Sequence, residues 1–171
     1  METTIERLNR TITERLAGLD VKTFGLAEGV AIRSDDETTF PAIILSTGEC
    51  INVFGETDKH DVTLYHRLNE ISYQENDNAS YGSSKGYTQT ADMSMLVFGK
   101  REKISQFQVE RVAIAAISID HKCSVIRSDF NALQIFANEY IGVTYFMGIE
   151  YFLFKINYRI TSTFNARCIN N

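Results

Sequence analysis

The sequence predicts a single α+β domain built on a mainly antiparallel sheet that two helices pack against. Three observations predict this class. The N-terminal segment has apolar residues at helical spacing, the C-terminal segment alternates apolar and polar residues over about 14 positions, and 44% of the 171 residues are hydrophobic against 23% charged. A chain of this length buries roughly two-thirds of its unfolded surface. We therefore expect one core spanning residues 1–171 that forms without disulfides or metals.

The first predicted element is an amphipathic helix. Apolar residues recur every three or four positions, and charged residues occupy the other side. Thr3 or Thr4 is expected to cap the helix, and Gly18 marks its end. The apolar stripe, which can lie on the sheet or on a neighbouring subunit, consists of Ile5, Leu8, Ile12, Leu16 and Leu19.

A β-hairpin is predicted next. Residues 21–30 have too weak a pattern to assign, and the acidic run 35–37 is expected to form an exposed loop. Two β-rich runs, Phe40–Leu45 and Cys50–Phe54, then flank a glycine-containing turn. The chain's one proline, Pro41, stands where the first run begins, as expected for a strand.

The middle of the chain predicts a long hairpin. Residues 62–73 fit either a helix or a strand, because their apolar residues match both periods. The context decides, since a polar, turn-rich stretch at 74–86 is followed by a β-rich run at 87–98. Two strands joined by this long polar loop are therefore expected, and the loop 74–86 should project beyond the core.

A second helix and two shorter elements follow. Ser105 is expected to begin a helix that ends at Ile119, and the tract 112–117 is apolar nearly all round, which predicts burial on more than one face. Residues 122–127 predict a short strand, and Ser128 is expected to cap a helical stretch through Tyr140.

The last segment is predicted to be an unusually long strand. Apolar and polar residues alternate from Tyr151 to Phe164, which is typical of a strand with one buried face. Strands usually run for about 5–6 residues. A strand of this length must pair with another long strand or reach past its own subunit.

The net charge and the lengths of the apolar segments limit which partners we expect, nucleic acids and membranes in particular. The 17 Lys and Arg residues against 22 Asp and Glu residues give a net charge of −5, whereas nucleic-acid-binding proteins are generally basic. We expect no signal peptide after Met1. The most apolar window, Tyr140–Phe154, contains Glu150 and is shorter than the ~18 residues of a spanning helix. We interpret it as a buried strand and expect no membrane association.

The cysteines predict neither a disulfide framework nor a zinc site. Cys50, Cys123 and Cys168 are odd in number and far apart, and they show no CxxC spacing. We expect buried free thiols in a reducing cytoplasm.

Candidate catalytic and metal-binding residues are few. His60 lies between Asp58 and Asp61, but no further ligands stand at metal-binding spacing, so solvated loop charges are the expected interpretation. His66 and His121 stand alone. The glycine-containing stretch 82–86 lacks phosphate-loop spacing and leads into a strand. We predict no catalytic residue, no cofactor and no metal.

The order of elements carries more information than any motif. The segments concerned are the helix Thr3–Leu19, the strand Phe40–Ile44, the strand Tyr87–Phe98 running into the helix Ser105–Ile119, and the closing strand Tyr151–Phe164. This order resembles that of the tail-terminator and tail-completion proteins of tailed bacteriophages, a family of small α+β proteins that form rings in the virion. The loop 74–86 and the stretch Ser128–Tyr140 make this chain larger than a minimal member.

The resemblance implies a non-enzymatic ring subunit in a phage neck or tail, such as a connector, a tail-barrel ring or a tail terminator. The family has no catalytic residues to carry over. The implied partners are further copies of this chain and neighbouring neck or tail proteins. DNA would pass through the lumen without specific binding, which suits an acidic chain because negative charge repels phosphates. The implied location is the virion, assembled in the host cytoplasm.

The predicted subunit-interface or channel residues lie in two polar segments. They are Asp35, Asp36 and Glu37 in the acidic run, and Asn78, Tyr81 and Lys85 in the loop 74–86.

Two other hypotheses stay open. The first is an enzyme or small-molecule-binding α+β domain with a pocket between the sheet and the helix 105–119, to which His66 or His121 would contribute. The second is a cellular adaptor that pairs its strand edges with a partner outside any virion.

Overall fold

Four helices and seven strands make up the part of the chain that the structure, a computed structural model, describes: residues 3–35, 38–76, 86–141 and 148–165. In chain order they are α1 (Thr4–Arg15), β1 (Val21–Asp35), β2 (Thr38–Leu45), β3 (Cys50–Asn52), α2 (Val53–Lys59), β4 (Val62–Asn76), β5 (Gly86–Lys100), α3 (Gln106–Ile119), β6 (Cys123–Asp129), α4 (Ala132–Glu139) and β7 (Tyr151–Asn165). The strands form one sheet in the order β3-β2-β1-β4-β5-β7-β6, and every neighbouring pair except β1 and β4 is antiparallel. The predicted α+β class is confirmed.

The opening helix begins at a reciprocal cap. The Glu6 amide donates to the Thr3 hydroxyl at 3.2 Å, and the Thr3 amide donates to the Glu6 carboxylate at 2.6 Å. These hydrogen bonds hold the pKa of Glu6 below its usual value. The apolar stripe packs on the sheet, with Leu8 and Ile12 fully buried. The predicted helix is confirmed, and Thr3 is its cap.

Helices cover both faces of the sheet's body. α1 and α3 pack on one face, the α1/α3 face, while α2 and α4 pack on the other, the α2/α4 face. Successive residues of a strand point to opposite faces. β4 accordingly places Leu64 in the first core and Tyr65 in the second, and both are fully buried.

The predicted long hairpin and long final strand are confirmed. β4 pairs with β5 from Val62 to Asn76, so residues 62–73 are strand, and both strands extend into the predicted loop 74–86. Residues 77–85 of that loop lie outside the described residues. β7 pairs with β5 along its whole length, so one edge of the final strand is satisfied within the subunit.

The sequence pattern missed β1 because of a bulge. The register with β4 shifts between Thr23 and Leu26, where two residues of β1 oppose one residue of β4. Phe24 and Ala27 consequently both reach the α2/α4 core, although they are three residues apart. The irregular spacing hides the period of two that would have predicted a strand. Only the backbone of residues 28–35 and 38–40 is described.

The predicted hairpin at 40–54 is confirmed in part. β2 and β3 pair across a turn in which Gly48 has a φ of +80°, a conformation that favours glycine. Val53 and Phe54 do not continue the strand, however, because α2 begins there. The Asn52 side chain accepts from the amides of Phe54 and Gly55, both at 3.1 Å, and caps this helix.

Two predictions about the segment after α3 are wrong. Ser128 does not cap α4; it lies in β6 and donates to Glu110 at 2.7 Å, whereas the Asn131 side chain caps α4 by accepting from the Gln134 amide at 3.2 Å. The window Tyr140–Phe154 is not a continuous buried strand, because Tyr140 ends α4 and β7 begins at Tyr151.

Burial agrees with expectation in the tract 112–117 of α3 but not at Cys50. Within the tract, Ala113, Ala116 and Ile117 are buried and the other three residues are partly buried, whereas the exposed Phe107 and Ile119 lie outside it. Cys50 is exposed, contrary to prediction, and Cys168 lies outside the described residues. Cys123 is partly buried, and burial together with the nearby Asp120 raises the pKa of its thiol to about 11. In the described ranges, no helix is long and apolar enough to span a bilayer.

Candidate interaction surface

The sheet continues past its helices as a three-stranded extension. Pairing of β4 with β1 ends at Arg67, and pairing of β7 with β6 ends at Ile160. Beyond these points β4, β5 and β7 stay paired with one another as far as Gly86. We call this extension the blade and count Arg159 and Ile160, the last residues of β7 that pair with β6, as its base; it comprises residues 68–76, 86–92 and 159–165.

Burial changes abruptly at the base of the blade. In β4, the residues from Val62 to His66 are buried, and every residue from Leu68 to Glu75 is exposed. Because successive side chains point to opposite faces, exposure of eight consecutive residues means that neither face of the blade is covered along β4 by the part of the chain that the structure describes.

One face of the blade is apolar and aromatic. Paired residues of adjacent strands share a face. Most of its side chains are apolar: Leu68, Ile71 and Tyr73 from β4, Tyr87 and Ala91 from β5, and Ile160 and Phe164 from β7. The polar Glu75, Gln89 and Ser162 share this face. The Phe164 ring stacks on Tyr87, with centroids 5.9 Å apart, and meets the edge of Tyr73 at 6.2 Å. Leu68 is 38% exposed, Ile71 40% and Tyr73 60%.

This apolar face extends the α1/α3 core without a break. The next cross-strand pair towards the body is Met93 and Tyr158, which is buried under the helices. The apolar surface of the core therefore continues along the sheet into a region that no described helix covers. Single exposed apolar residues are ordinary, but a contiguous row of them marks an interaction site.

The opposite face of the blade is polar. Its side chains include Ser72, Gln74, Thr88, Thr90, Thr161 and Thr163. Nearer the body, Arg159 donates to both carboxylate oxygens of Asp92, at 2.7 and 3.1 Å. This pair lowers the pKa of Asp92. The blade thus has one face suited to water and one suited to a partner.

Of the predicted interface residues, only Asp35 lies within the described residues, and it does not belong to the blade. Asp35 ends β1 opposite Thr38. Asp36, Glu37, Asn78, Tyr81 and Lys85 lie outside the described residues, so their role stays a prediction. Sequence reasoning did not select the apolar blade residues, although alternation in the final strand and in Tyr87–Phe98 already indicated a one-sided sheet.

His66 is a buried structural residue in this fold. The Asn9 side-chain amide donates to the Phe24 carbonyl at 2.9 Å, so its oxygen is left to accept from Nε2 of His66 at 2.8 Å. Nδ1 of His66 then accepts from the Tyr158 hydroxyl at 2.8 Å. Burial lowers the pKa of His66 to about 3, far from the near-neutral value that suits a general base.

His60 and His121 lie elsewhere. His60 is 2.9 Å from an Asp20 carboxylate oxygen and 3.5 Å from Glu56, which ties the end of α2 to the turn before β1. His121 follows α3 and is exposed beside Asp120. Within the described ranges, no group of three or more His, Cys, Asp or Glu residues is placed to hold a metal ion.

The structure does not place His66 or His121 in a pocket between α3 and the sheet: His66 is enclosed in the core, and His121 lines a small cleft between α1 and α3. The space between the sheet and α3 contains core residues such as Val109 and Phe154. One open cleft of about 510 Å³ lies between α1 and β1, lined by polar side chains such as Glu6 and Thr13. A smaller one of about 130 Å³ lies between α1 and α3 and includes His121.

A scan against protein-family models gave no match for this chain, and a search of curated proteins gave none either.

Proposed function

We propose that this chain is a non-enzymatic structural protein that self-assembles through its blade into a ring of a phage neck or tail. The observation that carries the proposal is the uncovered apolar face of the blade. Leu68, Ile71 and Tyr73 stand side by side at its surface, and none is more than two-thirds buried. Covering them with another copy removes apolar surface from water, at about 25 cal/mol per Å².

The form of the blade also supports assembly over catalysis. A continuous ladder of three strands gives it a rigid backbone, since β5 is paired on both sides along its whole length. A rigid extension can hold a contact between subunits in a fixed geometry. A lid over a reaction centre would instead need a hinge and a cleft containing ionisable groups beneath it.

The ring and its setting rest on the resemblance in element order and on charge. Helix α1, the hairpin β4–β5 running into α3, and the long β7 follow the order expected of a small ring-forming virion protein. The net charge of −5 suits a lumen that DNA crosses without being held. The partners are then further copies of the chain and the adjacent neck or tail proteins.

The assembly state of the purified full-length chain tests the proposal. Native mass spectrometry and negative-stain electron microscopy are expected to show a closed ring of one defined stoichiometry. Ile71→Ser/Tyr73→Ser is expected to give monomers, because it removes the apolar contact from exposed positions. The matched control, Ser72→Ala/Gln74→Ala, changes the polar face of the same strand and is expected to keep the ring.

Circular dichroism melting of both variants shows whether they fold as the unmodified chain does. A wild-type chain that stays monomeric at every concentration, or an Ile71→Ser/Tyr73→Ser variant that still forms rings, would contradict the proposal. Genes for portal, capsid and tail proteins beside this one, and the chain's detection in purified particles, would test the phage setting separately.

A further inference from the structure

We propose that a second copy of this chain completes the blade by adding its own β4 strand, in antiparallel orientation, along the open edge of β4. The open edge is the side of residues 68–76 that faces away from β5. β1 pairs with β4 only as far as Arg67, and beyond that point no strand of the described residues pairs on this side. The inference goes beyond the proposed function, because it concerns backbone hydrogen bonds at a strand edge and not the apolar face.

The open edge lacks most of the features that protect a strand edge. Its outward backbone N–H and C=O groups have no partner strand in the described ranges, and such groups are a template for another strand. Residues 70–76 contain no proline, no lysine and no bulge, and their two charges are those of Glu70 and Glu75. Every side chain from Leu68 to Glu75 is exposed, so a second strand has access to the edge.

The other edges of the sheet are shorter or protected. β3 consists of three residues, and the chain turns from it directly into α2. β6 is interrupted by a bulge at Ile126, and the charged Lys122 and Arg127 are exposed along it. On the far side of the blade, the Thr161 amide of β7 donates to the Lys122 carbonyl at 2.8 Å, and the strand ends at Asn165. Long bare edges invite pairing, whereas short, bulged or charged ones discourage it.

The sequence of the open edge is complementary to itself in one antiparallel register. In a two-fold pair, the residue on the axis faces its own copy. With Ser72 on the axis, Ile71 lies opposite Tyr73 of the other copy, and a β-branched residue opposite an aromatic one stabilises adjacent strands. Glu70 lies opposite the neutral Gln74. This match favours a second copy over an unrelated strand.

Other registers that keep the apolar faces together fit less well. An axis at Tyr73 would place Ile71 opposite Glu75, and an axis at Ile71 would place Tyr73 opposite the bulge at the base of the blade. Ser72 is also the midpoint of the open edge 68–76, so an axis there pairs the most residues. Side-chain pairing and edge length therefore favour the same register.

Pairing would join the two blades into one sheet. Cross-strand partners share a face, so the mostly apolar faces of the two blades would lie on the same side. Three strands from each copy would follow one another in the order β7-β5-β4-β4-β5-β7. A two-fold contact is isologous and ends at two copies, so the ring of the proposed function needs the apolar face as a second contact.

A cysteine on the axis tests the contact directly. Ser72→Cys, in a background with Cys50→Ser and Cys168→Ser, is expected to give a covalent dimer on a non-reducing gel after mild oxidation with diamide. Directly opposite residues of antiparallel strands have Cα atoms about 4.5–5.5 Å apart, within reach of a disulfide. Thr90→Cys in the same background is the matched control. Thr90 pairs with Ser72 inside the subunit, but three strand spacings, about 14 Å, would separate it from its own copy.

Charges at the same position test whether the added strand is another copy. Ser72→Lys and Ser72→Glu each place like charges opposite each other on the axis, so each variant is expected to pair weakly with itself. Mixed in equal amounts, the two are expected to pair with each other about tenfold more tightly, because unlike charges then face each other. Native mass spectrometry at low ionic strength measures the mixed and unmixed dimers. Ser72 lies on the polar face, so these variants leave the apolar face unchanged.

The outcomes separate this inference from the proposed function. If Ser72→Cys gives no more covalent dimer than Thr90→Cys, or if the mixed charge variants show no preference for each other, the edge inference is overturned and a ring built through the apolar face is unaffected. A dimer that crosslinks at Ser72 and never grows into a ring supports the edge inference and contradicts the proposed ring. A wild-type chain that stays monomeric at every concentration overturns both.

Discussion

Gly99 of β5 and Phe152 of β7 are cross-strand partners, and the Phe152 ring lies where a side chain of Gly99 would stand. The ring is 1% exposed and stacks on Phe154 with centroids 6.0 Å apart. A glycine in a central strand is ordinarily unfavourable, because it adds no packing. Because Gly99 has no side chain, the Phe152 ring fits into the core at this position. The packing of that ring replaces the contacts that glycine cannot make.

Gly99→Ala is expected to destabilise the protein by about 2 kcal/mol, because the new methyl group overlaps the buried Phe152 ring and forces it to shift. Urea denaturation measures the change in the free energy of unfolding. Gly25→Ala is the matched control, since nothing lies within 4 Å of its added methyl group. Equal effects of the two substitutions would show that the ring does not depend on the glycine.

Thr63→Val is expected to leave stability unchanged or raise it by about 1 kcal/mol. The Thr63 hydroxyl is fully buried and has no hydrogen-bond partner within the described residues, so valine of the same shape removes an unsatisfied polar group. Thr57→Val is the control. The Thr57 hydroxyl is also buried but donates to the Val53 carbonyl at 2.8 Å, and its loss is expected to destabilise by about 1 kcal/mol. Destabilisation by Thr63→Val would contradict the interpretation that the Thr63 hydroxyl is unsatisfied.

Stability is expected to fall as pH is lowered below about 6.5, in part because of His66. Its pKa is lowered to about 3 by burial, against the model-peptide value of 6.5. Between these values the unfolded chain binds a proton that the folded protein does not. The free energy of unfolding therefore decreases with falling pH in this window, by up to ~1.4 kcal/mol per pH unit from this one group.

Denaturation curves between about pH 5 and about pH 7 measure this dependence in the window where histidines titrate. His66→Gln is expected to flatten it, because the buried ring is gone. His121→Gln, at a side chain that is 88% exposed, is expected to keep the wild-type slope. A wild-type slope in the His66 variant would mean that the ring is accessible to protons in the folded state.

Much of the fold could be predicted because its signals are local. The capping pattern of Thr3 with Glu6 and the strict alternation from Tyr151 to Phe164 depend on residues a few positions apart. The prediction failed for elements in which such local signals are interrupted. α2 is a seven-residue helix that contains Gly55, and the bulge in β1 puts Phe24 and Ala27 on the same face.

The interaction surface was harder to predict for a related reason. The register of β4 shifts at Asn69, so Leu68 and Ile71 share a face although they are three residues apart. This spacing also fits a helix, which is why residues 62–73 had two interpretations. The hairpin could be predicted from its polar loop, but the exposed face could not be predicted from the pattern alone.

The sequence by itself determined where α1 and α3 begin, that residues 87–98 and 151–164 form strands, and that the final strand is very long. These properties depend on interactions between near neighbours in the chain. Tertiary structure alone decided that α1 and α3 cover only the body of the sheet, and that the apolar face of β4, β5 and β7 continues past them. That outcome depends on the register of three strands that are distant in sequence, and on the place where two helices end above them.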